Sequence, residues 1–224
     1  MQQVLNTIRS RNLVWVIVIY YAVGLAGLII PFTRELFRDL TPVSLLLSIF
    51  LLYLYHDRFS TKFWLISLLV LVLGFFAEVA GVGTGLLFGD YRYGDTLGPK
   101  LFHTPLMIGV NWLMLVYCSL YIAGKFIDTP YFRAIVAAAM MVVFDFALEP
   151  SAMYMGMWSW AGGAVPLQNY LAWFILAFLL AWLAGHLQLP ARENKLALPL
   201  FFVQLVFFVL LDLWVFADKI WELS

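Results

Sequence analysis

NLVWVIVIYYAVGLAGLIIPFT, residues 12–33, runs without a charge from just after Arg11 to just before Arg34. A helix needs about 20 predominantly apolar residues to cross a bilayer, where no water is present to satisfy its backbone. The run therefore reads as a first membrane span. Arg9 and Arg11 ahead of an apolar stretch also suit a secretory leader. However, the stretch is too long for a leader's apolar region and lacks a clean small-x-small cleavage site, so it is read as a retained span. Outward from it, charges act as punctuation. Further spans are expected at about 41–56, 63–81, 103–124, 132–149, 168–187 and 196–217, with the first at about 13–31. The second is short and flanked by Asp39 and Asp57, so the count drops from seven to six if it is re-entrant. Pro31, Pro42, Pro130, Pro150, Pro166, Pro190 and Pro199 stand at or near proposed span ends, where proline is tolerated.

Composition agrees. Of 224 residues, 64% are hydrophobic, 18% aromatic and 12% charged, whereas a soluble domain is nearer half apolar and a quarter charged. Seven spans take roughly 140 residues and leave roughly 84 for loops and tails, too few for a separate soluble domain. The expected fold class is all-α, one polytopic membrane-embedded bundle over residues 1–224. Thirteen basic and thirteen acidic residues cancel, so nothing points to nucleic acid as a partner. The single cysteine, Cys118, excludes an internal disulfide and a cysteine metal cage.

Orientation follows from Lys and Arg. One side collects Arg9, Arg11, Arg58, Lys62, Lys125, Arg133, Arg192 and Lys195; the other collects Arg34, Arg38, Arg92, Lys100 and Lys219. Eight against five favours a cytoplasmic N-terminus. The two longest loops, Gly81–Lys100 and Ser151–Leu167, then lie on the same, opposite side. They share a loose pattern: an acid, an aromatic-x-aromatic pair, Pro-Leu, Asn and Trp. The first copy is Glu78, Tyr91/Tyr93, Pro105-Leu106, Asn111 and Trp112. The second is Asp145 or Glu149, Trp158/Trp160, Pro166-Leu167, Asn169 and Trp173. The spacings differ, so a duplication is one reading of it.

Ionisable groups inside spans are costly, roughly 2.5–3.5 kcal/mol for an Asp at a helix centre. Glu78, Asp145, Glu149 and Asp212 all fall in the half of the membrane next to the two long loops. Asp145 and Glu149 share a helix face until Pro150, which is expected to end that helix. Two carboxylates that close in a dry place cannot both ionise cheaply, so one holds a proton that it can donate. The plainer alternative is that these acids bond to Arg92 or backbone amides and only fix helix packing. Between Glu78 and Gly94, Gly81, Gly85 and Gly89 fall at small-xxx-small spacing, suited either to close helix approach or to an unwound backbone lining a cavity. Tyr91, Tyr93, Trp158 and Trp160 suit an interfacial aromatic belt or a π-lined mouth whose ring faces stabilise a cation.

Histidine arithmetic removes several enzyme classes. His56 and His186 lie at one end of their spans and His103 at the other, so they cannot share one zinc. Histidine-rich di-iron sites and an aspartate-rich prenyl-diphosphate site are absent. His103 suits a helix-end hydrogen bond better than catalysis.

Glu78 with its glycines, Phe88-Gly89-x-Tyr91-x-Tyr93, Pro105-Leu106 with Asn111-Trp112, and Asp145 to Pro150 followed by Trp158-x-Trp160, Pro166 and Asn169 resemble one family. It is the bacterial and archaeal carotenoid biosynthesis membrane family that contains the carotenoid hydratases. The likeness covers roughly Glu78 to Trp173. It implies addition of water to a terminal carbon–carbon double bond of an acyclic carotenoid end, giving a tertiary alcohol. A carotenoid or other long polyene lipid, held in the bilayer, would be the partner, with no metal or cofactor. Chemistry then assigns Asp145 or Glu149 as general acid and Glu78, or else Asp212, as proton acceptor. Tyr91, Tyr93, Trp158 and Trp160 would shield the cation, while Asn111, Asn169 and His103 complete the binding set. A carrier or transporter with proton- or cation-binding carboxylates is the competing reading.

Overall fold

Proline placement sets the first corner. In the computed structural model, which describes residues 2–187, 189 and 193–222, helix α1 (Gln2–Ile29) stops where Pro31 forces Ile30 into an extended conformation. Pro31 opens the short, polar α2 (Pro31–Asp39), and α3 (Thr41–Leu54) follows at an angle of 56°. The expected second span is therefore a bent helix pair. Arg34 folds back across the corner, donating from Nε to the Leu28 carbonyl at 3.1 Å and from Nη1 to the Tyr154 hydroxyl at 3.1 Å. This gives a donor to one of the carbonyls that α1 leaves free at its end.

Helix α4 (Thr61–Thr84) starts on Ser60, whose Oγ accepts the Phe63 N–H at 3.1 Å, and ends on Gly85 in the left-handed region. Strand β1 (Tyr91–Tyr93) follows, then the two-residue strands β2 (Lys100–Leu101) and β3 (Thr104–Pro105) and helix α5 (Met107–Ala123). Helix α6 (Pro130–Tyr154), strand β4 (Trp158–Trp160), α7 (Leu167–His186) and α8 (Ala197–Glu222) complete the chain.

Among the described residues, five helices are long and apolar enough to cross a membrane, or six if the bent α2–α3 pair is one span. Helix α5, with 17 residues, is apolar but shorter, and the count of seven is reached only if it crosses too. It is the centre of the bundle: fourteen of its residues are buried, and α3, α4, α6, α7 and α8 pack around it. A helix apolar on every side belongs in such a position. Close packing of α4 on α5 rests on two glycines. A Cβ on Gly74 would lie 2.6 Å from Trp112 Cβ, and one on Gly109 would lie 2.9 Å from the Leu71 carbonyl oxygen. The outer faces of α1, α4, α7 and α8 expose Trp15, Ile19, Leu65, Leu68, Leu171, Ile175, Leu213 and Phe216, as lipid-facing helices do.

Three expectations change. Helix α6 continues through Pro150 to Tyr154, because a proline costs one backbone hydrogen bond and packed membrane helices tolerate that. Helix α5, where the fourth span is expected, begins at Met107 and not at residue 103. His103 stands instead with Phe102 at the turn of the β2–β3 hairpin, both at positive φ and both exposed. A two-residue hairpin turn with both φ values positive matches the twist of its strands. Gly85 and Gly89 do not support helix contact either. Gly85 caps α4, and Gly89 lies in the following loop against Pro166.

Candidate active site

The two long loops meet as a two-stranded antiparallel ribbon. Tyr91 pairs with Trp160, Arg92 with Ser159, and Tyr93 with Trp158. The ladder continues at both ends, with Gly94 N–H donating to the Met157 carbonyl (2.8 Å) and Ala161 N–H donating to the Asp90 carbonyl (2.9 Å). Alternation along a strand sends Arg92 and Ser159 outward and all four aromatic rings inward. Tyr91 and Trp160 lie 4.9 Å apart between ring centroids, with the rings tilted at 34°. Arg92 is exposed on the outer face, so it is not the partner of the buried acids.

Those partners are the aromatic donors. Glu78 Oε2 accepts from the Tyr91 hydroxyl at 2.5 Å and the Tyr93 hydroxyl at 2.8 Å, while Oε1 accepts from Trp112 Nε1 at 2.9 Å. Glu149 Oε2 accepts from Trp158 Nε1 at 2.8 Å and Trp160 Nε1 at 3.0 Å. Asp145 Oδ2 accepts from Asn169 Nδ2 at 2.8 Å. Burial first, and then the adjacent Glu78 carboxylate, pushes the Tyr91 and Tyr93 phenols well above their ordinary range. Both phenols therefore remain donors, and Glu78, facing three donors, is held as their acceptor.

Glu78, Asp145 and Glu149 line one cavity together with Tyr91, Tyr93, Trp158, Trp160, Asn111, Asn169 and Trp173. Its volume is about 30 Å³, above the ~10–15 Å³ that a water requires. A larger apolar chamber of about 180 Å³ adjoins it, and Ile108, Asn111, Leu148 and Trp158 line both. The chamber is walled by α1, α2, α3, α5, α6 and α8, and it reaches Val23 and Leu40 on the outside of the bundle. Four of its polar groups are bonded in pairs: Tyr20 OH with Ser44 Oγ, and Gln204 Nε2 donating to the Tyr21 OH.

Two candidates from the sequence fall elsewhere. Asp212, on α8, is hydrogen-bonded by Ser151 Oγ and does not line the cavity; His103 is on the exposed hairpin. Two residues join the site that sequence reading did not assign to it, Trp112 and Trp173, whose rings stack 4.2 Å apart. Each stands seven residues after its proline, Pro105 or Pro166, which was the available signal.

These features define a helical membrane protein with an acid-lined pocket, capped by aromatic donors and joined to an apolar chamber. The chain matches the carotenoid biosynthesis protein family over residues 40–222 and belongs to it. A curated relative, the bisanhydrobacterioruberin hydratase of Haloarcula japonica, is 28% identical over 149 residues, covering 60% of this chain and 49% of the relative. The chain thus spans about half the length of the curated relative it matches. No solved structure matches it.

Proposed function

We propose that the protein is a carotenoid hydratase that adds water across a terminal trisubstituted double bond of an acyclic end group. The observation that carries this reading is the joining of a three-carboxylate pocket to an apolar chamber through shared walls. The chamber is smaller than the ~300–1,000 Å³ of ordinary ligand pockets. It suits the end of a chain whose remaining length lies in lipid, entering past Val23 and Leu40.

Asp145 or Glu149, one turn apart on α6, gives its proton to the less substituted alkene carbon, leaving a tertiary cation on the other. The rings of Tyr91, Tyr93, Trp158 and Trp160 face that charge and exclude bulk water. A water held by Asn111 and Asn169 bonds to the cation through its oxygen, and Glu78 takes the proton it loses. Proton return from Glu78 to the α6 pair restores the starting state, so the net change is one water added with no redox step. Asp212 is given no part, because it does not reach the cavity.

The test is expression of the full chain in cells that make acyclic carotenoids, with mass spectrometry of the pigments. The wild type should yield a product heavier by one water. General acid catalysis typically contributes about 10²–10⁴-fold, so Asp145→Asn or Glu149→Gln should remove most product from folded protein. Normal hydration by both variants would refute the assignment. Pigment unchanged in mass but moved across proteoliposomes would favour the transporter reading instead.

A further inference from the structure

At the end of the bundle away from the ribbon, the α3–α4 connection, the C-terminal ends of α5 and α7 and the N-terminal end of α6 enclose a second, polar cavity of about 690 Å³. Among the described residues, its walls carry Arg58, Lys62, Lys125 and Arg133 against a single carboxylate, Asp57. Among the described residues, none of these four cations forms an ion pair. Arg133 is oriented by the Ile127 and Asp128 carbonyls, and Lys125 lies 4.5 Å from the Tyr121 ring centroid. The N-terminus of α4, capped by Ser60, opens into the same space and adds its positive dipole end. His56 also lines it, but both ring nitrogens are engaged, by the Tyr117 hydroxyl and the Arg58 carbonyl. On the inner side the walls turn apolar, at Phe63, Ile66, Leu120 and Leu189.

We infer that this cavity binds the phosphate headgroup of an anionic phospholipid. A surplus of three positive charges asks for an anion, and the helix N-terminus favours phosphate oxygens. The apolar inner wall suits the start of an acyl chain, which a soluble anion does not have. Basic pockets between membrane helices recognise such headgroups.

The test uses the purified full chain in detergent and native mass spectrometry with dioleoylphosphatidylglycerol or dioleoylphosphatidylcholine, which share acyl chains and differ in headgroup charge. Phosphatidylglycerol should be retained at one copy per chain in preference to phosphatidylcholine. Each basic side chain near an anionic headgroup contributes enough that losing two should weaken retention about 30-fold. The exposed pair Arg58→Gln/Lys62→Gln should therefore lose the preference, whereas Lys100→Gln at the opposite end should keep it. Equal retention of the two lipids, or a preference that survives the double variant, overturns the proposal. Inorganic phosphate that displaces the lipid at equal concentration assigns the pocket to a free anion and overturns the lipid source.

Discussion

Replacing Trp112 by Phe should separate the donor role of this residue from its packing. Phenylalanine keeps an aromatic ring against Trp173 but removes the Nε1 donor that lies 2.9 Å from Glu78 Oε1. Hydrogen bonds between membrane helices average about 0.6 kcal/mol and reach about 1.7. Bonds to charged groups in water-soluble proteins are worth about 1.5–3 kcal/mol. A carboxylate acceptor on a fully buried indole therefore puts this bond near 1–2 kcal/mol. Shrinking the indole removes roughly 40 Å³, which at ~24 cal/mol per Å³ adds about 1 kcal/mol. The total expected loss is about 2–3 kcal/mol, read by reversible unfolding of the full chain in mixed micelles of increasing dodecyl sulfate content. A cycle with Glu78→Met isolates the bond, since methionine keeps the length of the side chain and accepts almost nothing. Coupling of about 1–2 kcal/mol is expected, and additivity within ~0.3 kcal/mol would refute the claim that Trp112 holds Glu78.

Asp212→Asn should leave hydration within about threefold of wild type and lower stability by about 1 kcal/mol through the weakened Ser151 contact; a loss of product comparable to that of Asp145→Asn would return Asp212 to the mechanism. Gly74→Ala should cost about 1–3 kcal/mol, because its Cβ would meet Trp112 at 2.6 Å, and a melting temperature equal to wild type would contradict that contact. Burial depresses His56 below its ordinary value of 6.5, so the folded state resists protonation more than the unfolded one. Stability should hold above that pH and decline as pH falls through and below it, since a protonated ring loses its capacity to accept from the Tyr117 hydroxyl. Unfolding of His56→Gln should be flatter over the same range; parallel curves would contradict this.

The helices were legible because charged residues bracket each apolar run and a bilayer admits few other arrangements. That the two loops share one side was legible by the same means, since counting crossings puts Tyr91 and Trp160 together; that they pair as strands was not. Their register was not, since Tyr-Arg-Tyr and Trp-Ser-Trp carry no mark of which ring faces which. The persistence of α6 past Pro150 depends on its neighbours, and no local signal reports them. Trp112 on an apolar helix reads as core, and only the position of Glu78 on α4 makes it a donor. Asp212 looked like the other buried acids in sequence; what distinguishes it is how α8 packs on α6. The chamber has no sequence signature because six helices contribute to it.

Each acid finds its donors close at hand in the chain. Among the described residues, Glu78 is bonded from β1 and α5, and Asp145 and Glu149 from β4 and α7. A helical hairpin leaving the insertion machinery thus carries with it the groups that solvate its own carboxylate, before the other hairpin has docked. The penalty for taking an anion into oil is met within one nascent unit, and the acid-lined hollow comes into being only when the two units close on each other.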